Sequence, residues 1–237
     1  MVLKYKEIAQ DIAHKIASGT FTGKLPSESQ LMDMYLVSRN TVRNAINVLY
    51  DQGLINRIQG SGYFINQPLH NEDNLMNLAN KVGMNALSNE APVTSKILAF
   101  ESMPAGREVA KFLHCKVDEP VYYIKRLRWS KKSLLSLEEA YYLRKVVPYL
   151  NEKICSHSIF KFITQNYNIE IVNADEYVKI HYLTPEEAKQ SGRSTNEATL
   201  KIEEINYLKN ERPFNYSKTC YFQNDLTLYY HISNYLH

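Results

Sequence analysis

The chain has 237 residues, of which 44% are hydrophobic, and its 28 basic against 25 acidic residues give a formal net charge of +3. This length allows two domains with packed cores, and so small a charge surplus does not indicate DNA binding by itself. Because no apolar run approaches the ~18 residues that span a bilayer, and the first ten residues lack an apolar signal core, we expect a cytoplasmic protein.

Three amphipathic helices are predicted near the N-terminus. The first runs from Tyr5 to Ser18, the second from about Ser27 to Leu36, and the third follows the N-cap residue Ser38. Apolar residues repeat at helical spacing in the third helix and leave one polar face. That face carries Arg39, Asn40, Thr41, Arg43, Asn44 and Asn47.

A glycine-tipped hairpin follows. Gly53 is placed to end the third helix, and the segments 54–58 and 63–65 predict strands on either side of a four-residue turn. Helices and hairpin in this order predict a winged helix-turn-helix that binds DNA, over residues 1–66. The alternative, a solvated helix before an ordinary hairpin, would leave that order to coincidence. The predicted DNA-binding residues are Ser38, Arg39, Asn40, Thr41, Arg43, Gln59, Gly60, Ser61 and Gly62.

Three motifs in this region resemble those of the GntR family of bacterial transcription regulators. They are LPSE at 25–28, SRNTVRNA at 38–45 and QGSG at 59–62. The resemblance implies that the third helix enters the DNA major groove and that the wing touches the DNA. One departure is Ser29, because many members carry an arginine directly after the glutamate of LPSE.

Residues 67–92 predict a linker, because they are rich in asparagine and bounded by Pro68 and Pro92. From residue 93 to 237, neighbouring strands separated by turns indicate antiparallel meanders, so we expect an α+β domain. The resemblance to GntR regulators implies that this second domain binds the effector and forms the dimer. Predicted strands lie at 93–100, 121–129, 134–142, 175–182, 199–208, 214–222 and 226–232, and predicted helices at 106–113, 158–167 and 185–191.

Arg126, Arg128 and Glu138 form the constellation of greatest interest in this second domain. The two arginines are two residues apart on a predicted strand and therefore share a face, and hairpin pairing would bring Glu138 opposite them. Two guanidinium groups on one face can hold a phosphate or a carboxylate. The alternative is a solvated cross-strand salt bridge.

Residues 93–231 resemble the effector domain of the HutC-type branch of the GntR family, the UTRA domain, which has a chorismate-lyase-like fold. An RLR strand at 126–128, a glutamate ten residues later and a late P-x-E-Y-S-like segment carry the resemblance. It implies phosphate ligands from Arg126, Arg128, Ser158 and either Thr94 or Ser95, with Glu138, Asn215 and Tyr221 facing a sugar. Asn215 in PFNYS replaces the usual glutamate, and Phe160 stands where amino-sugar sensors often have tyrosine. A phosphorylated disaccharide or β-glucoside fits at least as well as N-acetylglucosamine 6-phosphate.

Catalysis and metal binding have little support. Cys115, Cys155 and Cys220 are odd in number and widely spaced, which argues against a disulfide framework and paired metal ligands, and His114 beside Cys115 has no second ligand pair nearby. No catalytic triad or phosphate-cradling glycine loop is visible, so we expect neither an enzyme nor a cofactor.

Together these patterns predict a homodimeric repressor of a sugar-utilisation operon. Two winged helices would bind the half-sites of a double-stranded operator. A phosphorylated sugar would release the protein from the operator by altering the spacing between the two winged helices. The alternatives are a regulator that responds to a non-sugar carboxylate and a ligand-free dimeric DNA-binding protein.

Overall fold

A computed structural model describes residues 4–66, 75–77, 93–130, 133–167 and 169–229. They form two compact units, the first holding residues 4–66, 75–77 and 226–229 and the second the described residues from 93 to 225. Most of the predicted linker, 67–92, lies outside the described residues. Within the described part, no helix has the length and apolar character needed to cross a bilayer.

The first unit confirms the predicted helices and hairpin. It contains α1 (Lys4–Ala17), α2 (Glu28–Tyr35), α3 (Arg39–Asp51) and the antiparallel strands β1 (Ile55–Ile58) and β2 (Gly62–Ile65). Their apolar faces pack together in one buried cluster, because amphipathic helices of this length are stabilised mainly by tertiary packing. The cluster includes Ile8, Ile12, Leu31, Val42, Ala45, Ile46, Leu49 and Ile55.

Local chemistry determines where α2 and α3 begin and end. Ser27 and Gln30 form the predicted capping box, and the Ser38 hydroxyl accepts a hydrogen bond from the amide of Thr41. Leu36 closes α2 at φ 51°, in the left-handed region, and Gly53 adopts φ 66° after α3. Leucine is an unusual choice for that conformation, because its Cβ is crowded there while glycine has none.

A two-stranded parallel ladder also belongs to the first unit. Strand β3 (Leu75–Asn77), which lies inside the predicted linker, pairs with β10 (Thr227–Tyr229). Of the predicted strand at 226–232, residues 227–229 form β10, and residues 230–232 lie outside the described residues.

The second unit is a six-stranded antiparallel sheet in the order β4-β5-β6-β9-β8-β7. This confirms the α+β class and both predicted meanders, which meet where β6 pairs with β9. The strands are β4 (Val93–Pro104), β5 (Pro120–Ser130), β6 (Ser133–Leu143), β7 (Ile171–Tyr182), β8 (Ala198–Leu208) and β9 (Pro213–Tyr221).

Helices cover both faces of this sheet. They are α4 (Gly106–Phe112), α5 (Glu152–Cys155), α6 (Ile159–Tyr167) and α7 (Pro185–Ser191), of which the four-residue α5 was not predicted. Residues of α5 and α6 pack on the face that carries Ile124 and Ala140, while α4 and α7 pack on the opposite face, over Val121 and Leu127 respectively. The side chains of Arg126, Arg128 and Glu138, predicted to bind the effector, lie on the α5–α6 face.

Candidate functional site

Two arginines and one glutamate form a buried cluster on β5 and β6. Glu138 lies directly opposite Arg126 in the strand register, which confirms the predicted cross-strand pairing. Arg126 donates to both oxygens of Glu138, from Nε at 3.0 Å and Nη2 at 2.9 Å, and Arg128 Nη1 donates to Oε2 at 3.3 Å. The solvated salt bridge considered from the sequence does not fit, because Arg126, Arg128 and Glu138 are only 3%, 5% and 7% exposed.

Arg126 is also tied to the turn between α5 and α6. Its Nη1 donates to the carbonyl oxygens of Cys155 at 2.6 Å and His157 at 3.0 Å. With Nε and Nη2 engaged by Glu138, all three nitrogens of this guanidinium have protein acceptors. Arg126 therefore anchors the α5–α6 turn to the sheet and holds Glu138 in place.

Arg128 is much less satisfied. Its buried Nε has no hydrogen-bond partner among the described residues, and the same holds for the buried hydroxyl oxygen of Ser95. Ser95 is the register partner of Arg128 on the neighbouring strand β4, so the two side chains share a face. A buried polar atom without a partner is costly, so two of them side by side require an explanation.

The cluster carries a surplus of positive charge. Two guanidinium groups face one carboxylate, and arginine does not deprotonate in proteins, so one positive charge has no counter-charge among the described residues. Burial and repulsion from Arg126 lower the pKa of Arg128 despite the attraction of Glu138. Burial would raise the pKa of Glu138, but the charges and hydrogen bonds of Arg126 and Arg128 lower it. The cluster therefore combines a buried ion pair with one further positive charge.

The structure separates the two candidates on β4. Successive strand residues point to opposite faces, so the exposed Thr94, which pairs with Trp129, lies on the face away from Arg128. Ser95 alone of the two faces the cluster. Tyr221 is also close, because it is buried and pairs with Ser136, the residue opposite Arg128 on β6.

The remaining predicted effector residues occupy different positions. Ser158 caps α6 by accepting a hydrogen bond from the Lys161 amide, next to His157, whose carbonyl binds Arg126. Phe160 packs edge-on against Tyr142 in the hydrophobic cluster beneath α6. Asn215 pairs with Tyr142, four residues along β6 from Glu138 and so roughly 13 Å away, and its amide donates to the Tyr141 carbonyl.

Polar residues that sequence reasoning missed extend the site along the same face. Ser136 lies opposite both Arg128 and Tyr221, and Thr219 lies opposite Glu138. Ser217 continues this row on β9, and all three are buried. The two-residue period of the strands was the available signal, because counting back from Glu138 and Tyr221 reaches Ser136 and Thr219.

A second polar cluster lies on the α7 side of the sheet. His181, Glu187 and Cys220 have possible ligand atoms within 4.8 Å of one another. Glu187, however, closes the capping box of α7, accepts from His181 Nε2 at 2.8 Å and lies 3.4 Å from Lys201 Nζ. Because a lysine ammonium and a helix cap already engage this carboxylate, the cluster is a hydrogen-bonded support for α7.

The predicted DNA-binding face of α3 is open to solvent. Arg39, Asn40 and Arg43 are exposed, and the Ser38 hydroxyl is occupied as the helix cap. Gly60 and Gly62 at the wing tip adopt φ 74° and 106°, a conformation that side chains rarely tolerate. The predicted positions therefore present donors from α3 and a glycine-rich backbone from the wing on the first unit.

Glu28 of the LPSE motif organises this face. Its two carboxylate oxygens share one bifurcated hydrogen bond from Arg43 Nε, each at 3.1 Å. The carboxylate also accepts a hydrogen bond from the Tyr63 hydroxyl at 2.9 Å and lies 3.8 Å from Arg39 Nε. Burial opposes ionisation, but these donors and charges outweigh it and lower the pKa of Glu28. One carboxylate thus joins α2, α3 and the wing and orients two arginines.

Two further cations on the wing side were not predicted. Arg57 of β1 donates to Asn47 at 3.1 Å and lies over the rings of Tyr50 and Tyr63, and the Lys24 ammonium lies over Phe64. Burial does not alternate along β1, where Ile55 is buried and the next three residues are exposed, so strand periodicity gave no signal for Arg57. Both cations belong to the same unit as α3 and the wing.

Two family models match this chain. The model described as "Bacterial regulatory proteins, gntR family" matches residues 4–65, and the model described as "UTRA domain" matches residues 89–226. The first covers the winged helix-turn-helix, and the second covers the six-stranded sheet with its arginine cluster.

Full-length relatives agree with both matches. The "Uncharacterized HTH-type transcriptional regulator YydK" of Bacillus subtilis is 33% identical over 225 residues and covers 93% of each chain. Its crystal structure superposes with a TM-score of 0.78 at 31% identity, over 98% of this chain and all of the other. The "Mannosyl-D-glycerate transport/metabolism system repressor MngR" of Escherichia coli is 28% identical, covering 93% and 92% of the two chains. The "Probable fructoselysine utilization operon transcriptional repressor" of Escherichia coli K12 is 24% identical, covering 95% and 93%.

Proposed function

Because this chain belongs to the GntR family of bacterial transcription regulators, in the HutC-type branch that carries a UTRA domain, we propose that it represses a sugar-utilisation operon and is released from its operator by a phosphorylated sugar. The family consists of transcriptional regulators rather than enzymes. The proposed active form is a cytoplasmic homodimer on double-stranded operator DNA.

The unsatisfied pair Arg128 and Ser95 is the observation that carries this proposal. A phosphate oxygen can accept a hydrogen bond from the unpaired Nε of Arg128, and the negative charge of the phosphate can compensate the extra arginine charge. The Ser95 hydroxyl can donate to the same group. Arg126 and Glu138 then act as the frame that orients Arg128, since their own hydrogen bonds are already made.

The sugar part of the proposal rests on the polar row beside the arginines. Buried hydroxyl and carboxamide groups on one sheet face suit a ligand with many hydroxyl groups, because each buried polar atom of the ligand needs a partner. These residues are Ser136, Thr219, Ser217, Asn206 and Asn215. Two relatives support the same class by name, since they are repressors of mannosyl-D-glycerate and fructoselysine systems.

Regulation follows from linkage between the two sites. A phosphosugar that binds the operator-free form more tightly must weaken operator binding, and operator DNA must weaken phosphosugar binding by the same factor. Such coupling is typically worth ~1–3 kcal/mol. In this scheme α3 reads the operator bases, and the wing and its cations bind the phosphate backbone.

Thermal unfolding of the full chain with matched ligands tests the proposal. The panel contains hexose 6-phosphates and phosphorylated disaccharides, the same sugars without phosphate, and sugar acids such as gluconate. A ligand present at ~100 times its dissociation constant adds about 2.7 kcal/mol to the free energy of unfolding, which is a measurable shift in Tm.

We expect a shift that needs the phosphate, that is lost in Arg128→Met and Ser95→Ala, and that persists in Arg107→Ala. Arg107 is an exposed residue of α4, so its removal changes the net charge equally without touching the cluster. A shift with sugar acids alone would replace the phosphosugar by a carboxylate effector. A flat response to the whole panel would contradict effector binding by this cluster.

A further inference from the structure

A cavity lies in the second unit, away from the arginine cluster. It has a volume of about 280 Å³ and is lined by the end of α4, the end of β6 with the turn that follows, and the hairpin between β8 and β9. Leu143, which lines it from β6, is five residues beyond Glu138 and therefore roughly 17 Å away along the strand. Leu143 also points to the opposite face of the sheet, where α4 packs. The cavity is thus separate from the cluster.

The floor of this cavity is apolar. Its apolar lining residues are Leu113, Leu143, Val146, Leu208 and Pro213. Leu113, Leu143 and Pro213 are buried, whereas the polar lining residues are exposed, so the apolar side chains form the floor and the polar ones the rim. Pockets for drug-sized ligands usually measure about 300–1,000 Å³, so this cavity suits a smaller molecule with an apolar part.

The rim carries charges of both signs. Its residues are His114, Lys145, Glu211 and Arg212. Asn173 donates to both carboxylate oxygens of Glu211, at 2.9 and 3.0 Å, which holds this anion in place without neutralising it. The Arg212 guanidinium forms no ion pair with any residue that the structure describes. The rim therefore offers a positioned carboxylate and, from the next residue along the hairpin, an available cation.

Two rim residues adopt a backbone conformation that usually favours glycine. His114 follows α4 at φ 46°, and Glu211 lies in the β8–β9 hairpin at φ 57°. Only four non-glycine residues of the described chain have a positive φ, and these two line the same cavity. Residues held in such sparsely populated conformations cluster at ligand sites. The chain thus keeps polar side chains at this rim where glycine would be less strained.

We propose that this cavity binds a free apolar α-amino acid, as a small-molecule site additional to the arginine cluster. The ligand carboxylate bonds to the Arg212 guanidinium, and the ligand ammonium donates to the Glu211 carboxylate. The ligand side chain then packs on the apolar floor. A simple carboxylate would be repelled by Glu211 and a simple amine by Arg212, so a zwitterion is the class that complements both charges.

Isothermal titration calorimetry of the full chain with matched ligands tests the site. The panel contains L-leucine and L-phenylalanine, together with 4-methylpentanoate, which lacks the ammonium of leucine, and 3-methylbutylamine, which lacks its carboxylate. We expect both amino acids to bind. Each analogue should bind at least about tenfold more weakly than leucine, because it loses a charge-assisted hydrogen bond and keeps a repulsion.

Variants of the rim locate the ligand. Arg212→Gln and Glu211→Gln should each weaken leucine binding about tenfold or more. Lys209→Ala, in the same hairpin but outside the lining of the cavity, should bind leucine as the unaltered chain does. Arg128→Met should also retain leucine binding, because the arginine cluster shares no residue with the cavity.

Three results would overturn the proposal. The first is an unaltered chain that binds neither amino acid. The second is leucine binding that persists in both Arg212→Gln and Glu211→Gln, or that is lost in Arg128→Met, since either would place the amino acid elsewhere. The third is tighter binding of 4-methylpentanoate than of leucine, which would replace the zwitterion by a simple carboxylate. Both altered rim residues are exposed, and circular dichroism of each variant verifies the fold.

Discussion

Arg126 and Glu138 face each other on β5 and β6 as a buried bidentate ion pair, with N–O distances of 3.0 and 2.9 Å. Arg128, two residues along the same strand, reaches the same carboxylate through one contact of 3.3 Å. The two arginines therefore differ energetically although the sequence presents them as equivalent. Arg126 is part of the framework, and Arg128 is a buried cation whose Nε has no hydrogen-bond partner among the described residues.

Substitution of these arginines should change stability in different ways. Arg126→Met removes both strong hydrogen bonds to Glu138 and the bonds to the α5–α6 turn, so we expect a loss of about 3–5 kcal/mol in the free energy of unfolding. Arg128→Met removes an uncompensated buried charge and leaves a neutral ion pair, so we expect a change within about 1 kcal/mol, or a gain. Urea unfolding measured by circular dichroism compares the two.

Arg107→Ala, at an exposed site on α4, serves as the charge control for this comparison. Equal losses in Arg126→Met and Arg128→Met would contradict the division of roles. A larger loss in Arg128→Met would reverse it.

Leu36→Gly should stabilise the first unit. Leu36 adopts φ 51° at the end of α2 and is 90% exposed, so its side chain contributes strain and little apolar burial. We expect a gain of about 0.5–1 kcal/mol, reduced from the full strain by the greater freedom of glycine in the unfolded chain. Differential scanning calorimetry would measure it as a higher Tm.

Gly192→Ala is the matched control in the opposite direction. Gly192 ends α7 at φ 70°, and a Cβ there would meet nothing within 4 Å, so only the backbone strain is added. We expect a loss of about 1 kcal/mol. A neutral or destabilising Leu36→Gly would show that the leucine side chain contributes more than its exposure indicates.

The α7 region should lose stability in acid. Burial would raise the pKa of Glu187, but hydrogen bonds from the Thr184 amide and His181, together with the Lys201 charge, lower it from 4.5 to about 2. A lowered folded-state pKa contributes stability that is present above the unfolded value and is lost as pH falls toward 2. Glu187→Gln should flatten this part of the pH profile of urea midpoints, and an unchanged slope would contradict the assignment.

Arg43 and Arg57 should affect operator binding differently. If Arg43 makes a bidentate base contact from α3, Arg43→Ala should cost about 1–3 kcal/mol and relax the preference at one base pair. Arg57→Ala, on the wing, should weaken binding to all sequences alike and reduce the slope of log affinity against log salt by about 1. Fluorescence anisotropy with an operator selected in vitro, and with single base-pair variants, measures both.

If Arg57→Ala weakened binding at one base pair only and Arg43→Ala weakened binding to all sequences alike, Arg57 would be the base contact and Arg43 the phosphate contact. Arg107→Ala, on the second unit, should bind the operator with unchanged affinity. Arg128→Met should likewise retain operator binding while losing its response to the effector.

Much of the fold was readable from local patterns. The capping box at Ser27, the N-cap Ser38 and the turn glycines located α2, α3 and the wing to within a residue or two. Prolines, caps and a closing glycine also located α7 at Pro185–Ser191. Such signals are reliable because they act between residues a few positions apart, which meet in any fold that forms the element.

The sequence by itself determined every described helix except α5, the hairpin, the shared face of Arg126 and Arg128, and the family. Only the tertiary structure decided that β6 pairs with β9 and that Ser95 rather than Thr94 faces Arg128. It also decided that Arg126 makes two hydrogen bonds to Glu138 whereas Arg128 makes one. It further decided that β4 and β7 lie at the edges of the sheet. The physical reason is that strand order, register and burial depend on residues far apart in the sequence, and these determine which polar atoms are satisfied and which are left for a partner.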